Sequence, residues 1–146
     1  MDAHNFLTPN DQENIICAIK EAEMLTSGEI RLHIENYCSI DVLDRAAAVF
    51  ADLSMHKTDQ RNGVLFYIAV KDHKFAVLGD VGINRQVDEC FWTDVKEHIF
   101  TYFWQNKYAE GLAAGIQMAG EKLAVFFPYQ ADDVNELSDE ISFGKD

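Results

Sequence analysis

Two short stretches, "HKTDQRNGVLFY" from His56 to Tyr67 and "GDVGIN" from Gly79 to Asn84, bring opposite charges and neutral oxygens to the ends of apolar runs. That mixture suits phosphoryl chemistry without a covalent step, in which cations hold the anion and a metal or carboxylate aims the nucleophile. Lys57, Arg61 and Arg85 supply positive charge, and Asp59 and Asp80 supply hard oxygen ligands for Mg²⁺ or Ca²⁺. Asp59 and Asp80 are therefore the candidate catalytic and metal-binding residues. Lys57, Thr58, Arg61, Asn62, Asn84 and Arg85 are the candidate ligand-binding set. Two carboxylates are few for calcium, which takes about six to eight oxygens, so Thr58, Asn62 and Asn84 are expected to complete the shell.

The elements around these residues explain why they should meet. Thr8 as N-cap, Pro9 at the first helical position and Asp11 beside the positive helix end start a helix that runs to about residue 25. "EIRLHIENY" alternates Ile30, Leu32 and Ile34 against Arg31, His33 and Glu35, a strand with one face at least partly solvated. Val42, Ala46, Val49, Phe50 and Leu53 return to helical period. "GVLFYIAV", "KDHK" and "FAVLGD" then read as a hairpin, followed by helices carrying Phe91, Val95 and Ile99, and Leu112, Ile116 and Leu123. Gly111, Gly115 and Ala119 leave a smooth stripe for close helix approach. The order helix, strand, helix, strand, strand, helix, helix predicts a three-layer α/β/α sandwich around a small mixed sheet. Its first two strands are parallel and the third runs back, so the two loops share one rim, with Ser27 and Glu29 nearby.

The 146 residues suit one domain, and 48% hydrophobic residues with 12% aromatics are globular. A formal charge of -13 repels a phosphate backbone, which excludes nucleic acid as a natural partner. No apolar run approaches the roughly 20 residues of a membrane helix and no basic-then-apolar leader is visible, so a cytoplasmic protein without a membrane anchor is expected. The three cysteines form no CxxC pair and are read as free thiols. Cys38 and Arg45 have the C-x6-R spacing of cysteine phosphatases but lack the glycines that cradle phosphate. HExxH, Walker A and GxSxG patterns do not occur.

Taken together, T-x-x-R-N-G-V-L from Thr58 to Leu65, the hairpin, G-x-x-G from Gly79 to Gly82, and Y-x-x-G-L-x-x-G from Tyr108 to Gly115 resemble the TPM domain family. The resemblance implies an α/β/α sandwich with a mixed sheet. It also implies a choice of roles, since some members are acid phosphatases or bind calcium while others assist photosystem repair or modulate membrane receptors. The chain departs from the commoner pattern in having "GDVGIN" where many relatives place a Gly-aromatic-Gly turn. The reading that follows is a TPM-type domain that binds a divalent metal or a phosphorylated small molecule or protein at the rim, with weak acid phosphatase activity as its catalytic form. The alternative is a non-catalytic protein-interaction or regulatory module.

Residues 1–128 are assigned to the domain and residues 129–146 to an acidic tail. Asp132, Asp133, Glu136, Asp139, Glu140 and Asp146 face only Lys145 there. Val134, Leu137 and Ile141 at i, i+3 and i+7 predict one face of a short helix, with Phe143 following. The stripe is expected to dock on this domain, on a second copy or on a protein partner, the last being favoured.

Overall fold

The computed structural model describes residues 2–130 and 136–144. Helix α1 (Pro9–Glu23) starts as its sequence dictates: Thr8 Oγ accepts from the Asp11 N–H, and the Asp11 side chain accepts from the Thr8 N–H. Strand β1 (Glu29–Glu35) follows, then α2 (Val42–Asp52), capped by the Asp41 carboxylate, and a 3-10 turn at Met55–Lys57. The hairpin is β2 (Gly63–Ala69) and β3 (Lys74–Gly79). A short α3 (Val81–Asn84), α4 (Glu89–Phe103) and α5 (Tyr108–Phe126) complete the helices, and a two-residue strand β4 (Ser142–Phe143) ends the described chain.

The sheet has the order β3-β2-β1-β4. β1 and β2 are parallel with Glu29 opposite Gly63, and β2 and β3 are antiparallel with Val64 opposite Gly79. Alternation along each strand sends its side chains to two different layers. Ile30, Leu32, Ile34, Val64, Phe66 and Val77 face α1, α4 and α5, whereas Leu65, Tyr67 and Ala76 face α2. The architecture is the expected three-layer α/β/α sandwich. The glycine stripe of α5 does bring the helices together: a Cβ at Gly115 would lie 2.3 Å from Ile99 Cδ1, and one at Gly111 would lie 2.9 Å from Tyr102 Cβ.

Three expectations are corrected. The second face of β1 is not solvated: His33 is 5% and Glu35 4% exposed, because α2 and β4 cover them. The tail is not helical where it is described. It runs extended, β4 pairs in parallel with β1, and Leu137, Ile141 and Phe143 pack against the two cores. It docks on its own domain, whereas a separate partner was favoured. Extension wins because the free edge of β1 offers backbone partners that a short acidic helix would lack, and Gly144 N–H donates to Ile34 O at 2.9 Å. Val134 lies outside the described residues.

Candidate functional site

The two polar loops meet at the end of the sheet where β1 and β2 begin and β3 ends. Glu29 N–H donates to Asn62 O, Asp80 N–H to Gly63 O, and Gly82 N–H to Arg61 O at 3.3, 3.0 and 2.9 Å. The last contact requires glycine, since a Cβ at position 82 would sit 2.2 Å from Gln60 O. Arg61 itself adopts φ 51°, so the left-handed residue of this loop is the arginine and not the nearby Gly63. From this position the guanidinium reaches across to the other loop.

There Arg61 Nε donates to Asp80 Oδ2 at 2.8 Å and Arg61 Nη2 to Oδ1 at 2.9 Å. Asp80 is 5% exposed and also caps α3 by accepting from Val81 N–H at 2.7 Å. Its hydrogen bonds raise the Arg61 pKa further, outweighing desolvation. Asn84 spans Gly79 O and the Trp92 indole N–H, each at 2.9 Å, and buried Asn62 donates from its side chain to Ser27 Oγ at 3.4 Å. Thr58 is buried and accepts from Asn62 N–H, while Lys57, Asp59 and Arg85 are exposed. Thus Arg61, Asn62, Asp80 and Asn84 knit the rim together, and Lys57, Asp59 and Arg85 stand on its surface.

Beside Asp59 the tail brings carboxylates that the loop sequences alone do not reveal. Glu136 accepts from Asp59 N–H at 3.3 Å, and Leu137 N–H donates to Glu29 Oε1 at 2.8 Å. Glu29 is 3% exposed, and its other oxygen, Oε2, is buried without a hydrogen-bond partner. Burial, opposed by backbone hydrogen bonds from Leu137 and Glu136 and aided by the carboxylates of Glu136 and Asp139, pushes the Glu29 carboxyl up to about 7. Glu23, which accepts from Ile30 N–H at 3.0 Å and bonds Asp139, is pushed up to about 9, first by burial. Among the described residues no group of three or more His, Cys, Asp or Glu side chains is placed to hold a metal ion. Asp80 does not fit a metal as it stands, because both its oxygens serve Arg61 and the α3 cap. Glu29 Oε2 does fit, as a buried carboxyl oxygen without a hydrogen-bond partner.

A second polar network lies at the far end of β1. Glu35 receives Arg45 Nε and Nη2, each at 2.8 Å, together with the Tyr67 hydroxyl and His33 Nε2. Burial would raise the Glu35 carboxyl, but the bonds from Arg45, Tyr67 and His33 outweigh it and hold it at about 2. An ionised Glu35 makes His33 Nε2 the donor, so Nδ1 accepts from Ser142 Oγ at 2.9 Å. Desolvation lowers the His33 pKa and keeps the ring neutral despite Glu35. These groups satisfy one another beside a hollow of about 720 Å³ and fasten α2 and β4 to the sheet. The alternating Arg31, His33 and Glu35 were the visible signal for this network; the partner Arg45 removes the reason to leave that face in water.

No helix among the described residues is long and apolar enough to cross a membrane. No curated protein matches the chain. The family model for the TPM domain matches residues 1–122. The NMR structure of BA42 protein from the psychrophilic bacterium Bizionia argentinensis is similar over 95% of this chain and 96% of that one, with 46% identity and a TM-score of 0.91. The N-terminal domain of cg2496 protein from Corynebacterium glutamicum shares the fold, with a TM-score of 0.64, 11% identity, and coverage of 96% of this chain and 81% of that chain.

Proposed function

The chain belongs to the TPM domain family, and on that premise we propose that it is a binding domain whose rim takes a divalent cation on Glu29, with Glu136 beside it and backbone carbonyls and water completing the shell. The single observation that carries this reading is the buried, unpartnered Oε2 of Glu29, set among further carboxylates. A buried carboxyl in that position must hold a proton or find a cation, and a divalent ion neutralises several acids at once. Ca²⁺ suits the place better than Mg²⁺, because it tolerates irregular geometry and accepts backbone carbonyls and water alongside carboxylates. The -13 charge draws cations toward this surface. Asp80, expected from sequence to be a metal ligand, is given the supporting role of fixing Arg61.

Binding is better supported than hydrolysis. A phosphatase would want Arg61 free for the phosphate and Asp80 free for the metal, and here each neutralises the other. Lys57 and Arg85 are the exposed cations left to meet a phosphorylated ligand. Thermal unfolding with added Ca²⁺ or Mg²⁺ tests the reading. At 100 times the dissociation constant the ion adds about 2.7 kcal/mol, an upward shift of roughly 5–10 °C for a domain of this size. Glu29→Gln is expected to abolish the shift. No shift at millimolar ion, or a shift that Glu29→Gln leaves intact, sinks the proposal.

A further inference from the structure

At the opposite end of β2 from the rim, a hollow of about 600 Å³ opens between the hairpin tip, the end of α4 and the start of α5. Its wall is a chain of rings. Phe6 and Phe103 each approach Tyr108, with centroids 5.2 and 5.3 Å apart, Phe75 meets Phe103 at 5.5 Å and Phe100 at 5.9 Å, and Trp104 stacks on Phe100 at 6.3 Å. Trp104 is 81% exposed at the lip. Leaving an indole in water forgoes the burial that such a ring normally obtains, and here it extends an aromatic surface that is open to a ligand.

The mouth carries the opposite charge from the rest of the molecule. Lys71, His73 and Lys74 line it, and no Asp or Glu does among the described residues, in a chain with 25 acidic residues and 12 lysines and arginines. Asp72, the acid of the hairpin tip, is turned aside to accept from Cys38 N–H at 2.7 Å. The Lys74 ammonium is held aside by the carbonyls of Cys38 and Ile40 at 2.9 and 3.2 Å, whereas Lys71 rests over the exposed Tyr37 ring at 5.4 Å, a contact weak enough to exchange for a ligand's charge. His73 takes φ 53°, an uncommon conformation for a residue with a side chain.

We infer that this hollow is a binding site for a small aromatic anion, a flat ring system bearing a carboxylate, sulfonate or phosphate. The rings would take the apolar body and the hairpin cations the charge, in a volume within the roughly 300–1,000 Å³ of ordinary ligand sites. The site is independent of the cation proposed at the rim.

The test is titration of the intact protein with 1-anilinonaphthalene-8-sulfonate and, separately, its uncharged relative N-phenyl-1-naphthylamine, with amide NMR shifts recorded in parallel. We expect one saturable sulfonate site per folded chain, with shifts confined to the hairpin tip, residues 100–104 and Tyr108. Trp104→Ala, at an exposed position, should weaken the sulfonate about tenfold. Lys71→Glu should weaken the sulfonate and spare the neutral probe. Several weak sites, shifts elsewhere, a neutral probe that binds as tightly as the sulfonate, or affinities unchanged in both variants would each overturn the inference.

Discussion

Arg61 holds Asp80 by both ends of its guanidinium, Nε to Oδ2 at 2.8 Å and Nη2 to Oδ1 at 2.9 Å, across the two loops that form the rim. The pair turns a plausible metal ligand into a clasp. Asp80 then caps α3, Gly82 closes on Arg61 O, and the crossover loop is fixed against the end of β3. Removing the carboxylate should therefore cost stability before it costs binding.

Asp80→Ala is expected to lose about 1 kcal/mol for the helix cap alone, read as a lower urea midpoint at unchanged slope. A Ca²⁺-induced rise in melting temperature should persist in it, because the proposed cation site lies at Glu29 and the tail. Loss of that rise without loss of intrinsic stability would return the metal site to Asp59 and Asp80.

Gly82→Ala probes the same clasp from the backbone. The new Cβ would lie 2.2 Å from Gln60 O and 2.6 Å from Arg61 O, so the loops must separate. Overpacking of this kind costs about 1–3 kcal/mol. A variant as stable as the parent would mean that the loops do not meet this tightly in solution.

That meeting was legible in the sequence because it follows from topology. A parallel crossover through α2 and an antiparallel return put "HKTDQRN" and "GDVGIN" on one edge whatever their side chains do. The roles within it were not legible, since Asp80 as ligand and Asp80 as cap share one residue type and Arg61 decides between them. Thr8-Pro9, the strand alternation and the α5 glycines were equally readable, being local signals. β4 was not: two residues, Ser142 and Phe143, carry no periodicity, and Leu137 and Ile141 happen to stand at helical spacing. Glu29 looked like one more acid at a strand start until the tail covered it.

The pH profile should have two limbs. Glu35 is held at about 2 in the fold, below its unfolded range, so its stabilisation is full above about pH 4.5 and is lost as the pH falls toward 2. His33, whose pKa is lowered by burial, adds to the acid loss as the pH drops below about 6.5. Glu29 and Glu23 are raised to about 7 and about 9, so the fold holds protons that the unfolded chain releases near pH 4.5, and stability declines as the pH rises through those values. Urea titrations across pH 2–10 check this. Glu35→Gln should flatten the acid limb and the double variant Glu23→Gln, Glu29→Gln the alkaline one; limbs unmoved by these changes would deny the carboxyls their assigned environments.

The tail supplies the last prediction, because its attachment joins the sheet edge to the acidic rim. Leu137 N–H reaches Glu29 Oε1, Gly144 N–H reaches Ile34 O, and Ser142 bonds His33, so one segment is fastened at three levels along β1. A two-residue strand alone would fray, and the side chains of Ile141 and Phe143 against the core supply the rest. Amide exchange should accordingly show Leu137 and Gly144 protected in the dilute protein, with protection independent of concentration because the contact is within one chain. Glu29→Ala should release Leu137 while leaving Gly144 largely protected, since the β4 hydrogen bonds do not pass through Glu29. Protection that grew with concentration would instead assign the tail to a neighbouring copy. Rapid exchange at both amides in the parent would leave the edge of β1 open and deprive the proposed cation site of Glu136.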